Sequence, residues 1–178
     1  SKNFQQRKNV LEYDDVMNTQ REVIYKQRRQ VLDGEDMKAS VENMIRTTIQ
    51  NTIHGRMGEQ KHMDAESFRE AMAPFRGVFL TSEELCEMVE TRAFDIYQKK
   101  EQALGAPLMR ELERVMMLRV VDEYWMEHLD NMTELRQGIG LRAYGQNDPV
   151  VEYKREGYAM FEEMIAAIQE ETVRRVFI

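Results

Sequence analysis

Cysteine, proline and long apolar runs are scarce in this chain, and each scarcity removes a class of explanation. There is one cysteine, Cys86, in 178 residues. A single thiol inside a helical pattern excludes an internal disulfide and any cysteine-based zinc site, and it fits a reducing, cytosolic setting. The longest apolar run is a few residues, against the roughly 20 that a bilayer-crossing helix needs, so any membrane role has to be peripheral. The opening stretch, SKNFQQRKNV, lacks the apolar core of a secretory signal. A net charge of −7 supplies no general basic field, so nucleic acid is not an expected partner.

What is present points to helices. Hydrophobic residues make up 42% and charged residues 32%, with three prolines and nine glycines, a globular and helix-rich balance sized for one sizeable domain or two small ones. Fourteen methionines suit either gap-filling in a helical core or an adaptable contact surface, and the core is the favoured reading.

Residues 3–32 read as one long helix. Val10, Met17, Ile24 and Val31 recur every seven residues, with Leu11, Tyr13 and Tyr25 widening the stripe. At about 1.5 Å per residue this is a rod of roughly 45 Å, a strut for other elements to lean on. No capping sequence precedes it, so it reads as the continuation of something upstream. Asp33-Gly34 breaks it. A second helix is expected over 36–54, with Val41, Met44, Ile45, Ile49 and Ile53 on one face and Gly55 as its stop. GRMGEQKHM follows as a polar loop. Asp64 caps a short helix bearing Phe68, Ala71 and Met72, which Pro74 ends. Thr81 and Glu84 form a capping box for a helix facing inward through Leu85, Met88, Val89, Ala93 and Tyr97 and ending near Gly105. From Leu108, an apolar series through Leu112, Val115, Leu118, Val121, Trp125, Leu129 and Met132 forms another long helix. Asp148 and Pro149 then start a last one, lined by Val150, Val151, Tyr158, Phe161, Ile165, Ile168 and Val176. The last two make an antiparallel hairpin. The expected fold is all-α: a long scaffold helix, an inserted small helical subdomain, and a long two-helix hairpin, with no credible strand.

Between the hairpin's helices lies Met132 to Pro149, MTELRQGIGLRAYGQNDP. Gly138, Gly140 and Gly145 sit there among Arg136, Arg142 and Tyr144. The expectation is a flexible tip with side chains able to grip a partner. An aromatic beside arginine is what binding surfaces use; the alternative for Tyr144 is a turn-stabilising role, and for the arginines plain surface charge.

No catalytic site assembles. GxxxxGK[ST], GxGxxG and HExxH are all missing, and the one ExxH, Glu59 to His62, lacks the mate a di-iron bundle requires. Asp122, Glu123, Glu127, His128 and Asp130 read as a solvated face with one histidine near the helix seam, the alternative being polar contact with another domain. Asp14 and Asp15 point about 100° apart on a helix, so they do not share an acid–base site; one of them is expected to pair with an arginine on a neighbouring element. Trp125 reads as a core anchor.

Two long stretches, RKNVLEYDDVMNTQREVIYKQRR (7–29) and YWMEHLDNMTELRQGIGLRAYGQNDPVVEYKREGYAMF (124–161), closely resemble the SecA family, the ATP-driven motors of bacterial preprotein export, and AFDIYQKKEQALGA (93–106) does so more weakly. The resemblance implies a C-terminal fragment. Residues 1–34 look like the long helix of the helical scaffold domain, 35–104 like the helical wing domain, and 105–178 like the two-helix finger. In that family the finger loop reaches the cytoplasmic mouth of the SecY channel and touches the translocating polypeptide through a tyrosine. The LRxYxQ motif puts Tyr144 in that role, with Leu141, Arg142, Gly145 and Gln146 beside it and Arg136 just before. The implied partners are the SecYEG channel, unfolded preproteins and the nucleotide-binding domains of the same parent chain, with a homodimer left open. The implied location is the cytoplasm, peripherally on the inner face of the cell membrane. ATP and Mg belong to the parent motor, and no cofactor, metal or catalytic residue is expected in this portion. The alternative is a free-standing helical module that regulates a partner ATPase by docking the same hairpin.

Overall fold

Every element among the described residues is a helix. The computed structural model describes residues 2–33, 37–59, 82–142 and 148–178, with side chains over 7–33, 37–55, 82–139 and 148–178. In chain order the helices are α1 (Lys2–Asp33), α2 (Met37–Glu59), α3 (Ser82–Leu104), α4 (Ala106–Arg142) and α5 (Pro149–Phe177). The chain divides into two compact units, Ser1–Met37 with Leu112–Thr172, and Lys38–Glu111 with Val173–Ile178.

The helix ends follow local chemistry. Gly105 closes α3 at φ 85, a left-handed conformation that costs glycine little. Its N–H donates to the Glu101 carbonyl at 2.8 Å, and its own carbonyl accepts from Met109 N–H at 3.0 Å, opening α4. The Asp148 carboxylate accepts from Val150 N–H at 2.9 Å, and Pro149 takes the first helical position of α5, as the sequence predicts.

Two expected boundaries move. Gly55 does not stop α2, which runs on to Glu59. An exposed helical glycine costs only about 1 kcal/mol relative to alanine, too little to end a helix by itself. The expected tip from Met132 is helical as far as Arg142, with Gly138 and Gly140 inside α4. Met132, Leu135 and Ile139 continue the three-and-four stepping and are all buried. Their burial, about 1.5–3 kcal/mol per side chain, outweighs two glycine penalties. The short helix expected after Asp64 and the capping role of Thr81 lie outside the described residues.

In the first unit, α1, α4 and α5 pack along their lengths. Asp14 meets Arg136, Gln20 meets His128 and Arg28 meets Asp122, so α1 and α4 run in opposite directions. α5 is antiparallel to α4, since His128 lies against Phe161 while a side chain at Gly157 would meet Met132. Ile24, Val120, Val121, Trp125, Met164 and Ile168 form one apolar cluster. Met132, Leu135, Ile139 and Tyr153 form another, flanked by Tyr13, Val16 and Met17. Trp125 is the core anchor the pattern called for. Val10, Leu11, Tyr25, Val115, Val151 and Tyr158, expected on apolar faces, are exposed instead.

The second unit pairs α2 and α3 in antiparallel fashion. Lys38 bridges to Glu101 at 3.1 Å, and Arg46 to Glu90 at 3.5 Å while lying over the Phe94 ring. Val41, Ile45 and Ile53 of α2 are buried, as are Cys86 and Tyr97 of α3 and Met109. Met88, Val89 and Leu108, expected inward, are exposed, and Cys86 takes the inward position on the first turns of α3. Burial, foremost, pushes the Cys86 thiol pKa up, so it stays a protonated, apolar filler.

Candidate functional site

Three polar groupings lie along α1 in the first unit. The first sits near the start of α5. Arg136 Nη1 donates to Asp14 Oδ1 at 3.3 Å, and the same guanidinium lies 5.0 Å from the centroid of the Tyr13 ring. Tyr13 meets Tyr153 edge-on at 4.8 Å. Burial raises both phenol pKa values, with the Arg136 charge working against it, so both stay neutral hydroxyls. Asp14 thus has the arginine partner on a neighbouring element that adjacency on α1 implied. Arg136 itself is not a loop residue. It belongs to α4, and its charge is engaged by Asp14 and Tyr13.

The second grouping is a buried layer in the middle of the three helices. Gln20, on α1 between Met17 and Ile24, is 6% exposed, and His128 is 3% exposed. Gln20 Nε2 donates to the Gly157 carbonyl at 3.0 Å, and Gln20 Oε1 lies 2.7 Å from His128 Nε2. A carbonyl only accepts, so the amide NH₂ must face Gly157. That leaves Oε1 for His128, which donates from Nε2 as the neutral tautomer. Burial lowers the His128 pKa from 6.5, so the neutral form is favoured. The ring lies beside Trp125 and Phe161, at 5.6 and 5.8 Å between centroids. On the acidic stretch of α4, Asp122, Glu123, Glu127 and Asp130 are exposed while His128 faces the seam, as the pattern suggested.

The third grouping is a groove of about 570 Å³ lined by residues that include Ile24, Tyr25, Arg28, Leu32, Asp122 and Trp125. Arg28 holds Asp122 in a two-pronged contact, Nε to Oδ1 at 3.0 Å and Nη2 to Oδ2 at 3.3 Å. The hydrogen bond to Asp122, foremost, raises the guanidinium pKa, which keeps it charged. Aromatic, aliphatic and guanidinium surfaces line this groove. With Arg29 and Asp33 also on its wall, it has the make-up of a contact surface.

Of the sequence-expected tip residues, Leu141 and Arg142 belong to the last turn of α4, and Tyr144, Gly145 and Gln146 lie outside the described residues. No group of three or more His, Cys, Asp or Glu side chains among the described residues is placed to hold a metal ion. No helix among them is long and apolar enough to cross a membrane. Gln20, Tyr153 and Gly157 were absent from the sequence-based site. Gln20 alone left a signal, a polar side chain four residues before Ile24 and three after Met17, on the apolar stripe.

The whole chain, residues 1–178, matches the family model described as the SecA Wing and Scaffold domain. Among curated relatives, the protein translocase subunit SecA of Pelotomaculum thermopropionicum is 48% identical over 190 residues, covering 99% of this chain and 21% of that protein. The subunit from Heliobacterium modesticaldum is 48% identical over 188 residues, 99% of this chain and 22% of the relative. That from Carboxydothermus hydrogenoformans is 46% identical over 187 residues, 98% and 21%. The chain spans about a fifth of the length of the relatives it matches. With the match running end to end, the chain belongs to the SecA wing and scaffold family.

Proposed function

We propose that this chain is the force-transmitting portion of a protein translocase, coupling an ATP-driven motor to the segment that meets the translocating polypeptide. The observation that carries the reading is α1, a rod of about 48 Å by helical rise in contact with both α4 and α5 at successive levels. The family match supplies the context. Residues 1–34 act as the scaffold strut, 35–104 as the wing and 105–178 as the two-helix finger. A helix held at several levels moves as a unit, so displacement at one end reaches the other with little bending.

Tyr144, with Leu141, Arg142, Gly145 and Gln146, is the polypeptide- or channel-contacting tip. Arg136, earlier in the chain on α4, meets Asp14 and Tyr13 of α1. The partners are the SecYEG channel, unfolded preproteins and the nucleotide-binding domains of the parent chain, at the cytoplasmic face of the membrane. ATP and Mg act in the parent motor, and the residues of this chain contribute positioning, not phosphoryl transfer.

The test is Tyr144→Ala in the full-length parent. Preprotein transport into inverted membrane vesicles should fall while helix content and basal ATPase activity are retained. Unchanged transport would sink the assignment of the tip. The 178-residue chain by itself should hydrolyse no ATP, and a micromolar nucleotide site by calorimetry would contradict the reading.

A further inference from the structure

The layer formed by Gln20, His128 and Gly157 is unlike the rest of the first unit. On each of its three helices the polar member lies between positions belonging to the two apolar clusters. On α1, Gln20 separates Tyr13 and Val16 from Ile24, with Met17 packed against both clusters. On α4, His128 separates Met132 and Leu135 from Trp125 and Val121. On α5, Gly157 separates Tyr153 from Met164 and Ile168. Apolar layers alone leave axial register weakly defined, because a leucine-like stripe packs nearly as well one turn along. A buried polar group that must find its partner does define register. Sliding α1 by one turn, about 5.4 Å, would put the Gln20 amide against apolar side chains. It would also leave the His128 Nε2–H and its own NH₂ without acceptors.

We propose that this layer is a clasp that sets the axial register of α1 against the α4–α5 pair and loosens when His128 takes up a proton. Access is built in, since His128 lines a groove of about 210 Å³ between α4 and α5 together with Tyr124, Glu127, Asn131 and Glu163. The groups facing the ring are few. From α1 it is the neutral Gln20, from α5 Phe161 and, across the groove, the Glu163 carboxylate. On α4 itself they are Trp125, Tyr124 and Glu127. Both carboxylates are exposed, and burial is what lowers the ring's pKa. Protonation at Nδ1 keeps the Nε2–H bond to Gln20 but puts a full charge on a ring that is 3% exposed and lies between Trp125 and Phe161. The gain in hydration on parting the helices then favours the loosened arrangement. The sign is fixed: a base with a folded pKa below 6.5 stabilises the closed layer fully above that value, and the contribution drains as pH falls below it.

The experiment uses the 178-residue chain with Cys86→Ala and spin labels at Asp15→Cys on α1 and Ala159→Cys on α5, both exposed positions. Pulsed-EPR distances are measured from about pH 7.5 to about pH 5, alongside nitrogen NMR of the His128 ring. The expected result is a single narrow distance at the upper pH that broadens or shifts toward a one-turn displacement, with a midpoint matching the His128 titration. In Gln20→Leu/His128→Leu the distance distribution should be the same at both ends of the range. His128→Gln, which keeps a donor but does not titrate, should stay narrow throughout and covers the case in which the leucine pair misfolds. An unchanged wild-type distance across the His128 titration, or an equal pH response in His128→Gln, overturns the proposal.

Discussion

Gly157→Ala places two effects of similar size in opposition at a known point. Gly157 has ordinary helical backbone, since Gly105 is the described glycine with positive φ. Replacing a mid-helix glycine by alanine should therefore gain about 1 kcal/mol from backbone entropy and helix propensity. A Cβ at this site, however, would lie 2.7 Å from Met132 Cε and 3.2 Å from its Sδ. Met132 is 1% exposed and packed with Leu135, Ile139 and Tyr153. Its last two atoms must both swing into filled space, and overpacking of this kind costs roughly 1–3 kcal/mol. Gly157→Ala is expected to be neutral to destabilising by about 2 kcal/mol. In a Met132→Ala background the obstructing atoms are gone, and the same change should become stabilising by about 1 kcal/mol. The coupling is read from urea midpoints at constant slope. Trp125 is the sole tryptophan and lies in the first unit, so its fluorescence follows that unit's unfolding. A stabilising Gly157→Ala in the wild-type background, or an identical effect in both, would refute the reasoning.

Gly105→Ala should cost about 1–2 kcal/mol from φ strain alone, since a Cβ there meets nothing within 4 Å; Gly105→Asn should recover part of it, both read from thermal melts. Glu101 is held below the usual carboxylate pKa by the Lys38 hydrogen bond first and also by the Arg110 charge, against burial. Its contribution is present above about pH 4.5 and lost as pH falls through its lower folded value. Glu101→Gln should accordingly flatten the acid side of the urea-midpoint profile. Arg136→Ala should lower stability by about 1 kcal/mol through loss of the Asp14 pair and the Tyr13 ring contact. Arg136→Lys should restore only part of it, by urea titration.

The heptad stripe made α1 legible as a helix but overstated what it buries. A period reports which residues share a face, not how much of that face a neighbour covers. Hence Ile24 is buried while Val10, Leu11 and Tyr25 on the same broad stripe stay exposed. In α4 the three-and-four steps can be counted in neighbouring phases. Counting from Leu108 picks out Leu108 and Val115, whereas the structure buries Met109, Glu113, Met117 and Val120. No hydropathy pattern selects a glutamate for the interior. Met109, Met117, Met132 and Met164 are buried, in line with the gap-filling role favoured from composition. The Asp14–Arg136 pair was half legible, because adjacency ruled out a shared carboxylate site but could not say which arginine answers. Gly157 was invisible because its importance lies in the methionine opposite, a contact between residues 25 positions apart in sequence.

The forces on α1 divide by type. Arg28–Asp122 and Arg136–Asp14 are largely solvent-facing, with side chains 39–54% exposed. Pairs of that kind contribute about 0–1 kcal/mol each. Among the described side chains of α1 itself, Gln20 and Ile24 alone are buried. Apolar contact supplies most of the attachment and says little about axial position. The amide of Gln20 supplies little net energy but permits few positions, since its NH₂ and its carbonyl must each find a partner. In the proposed role of a strut, that division lets displacement along the helix axis be gated by the state of one small polar layer, with no need to disrupt the clusters on either side.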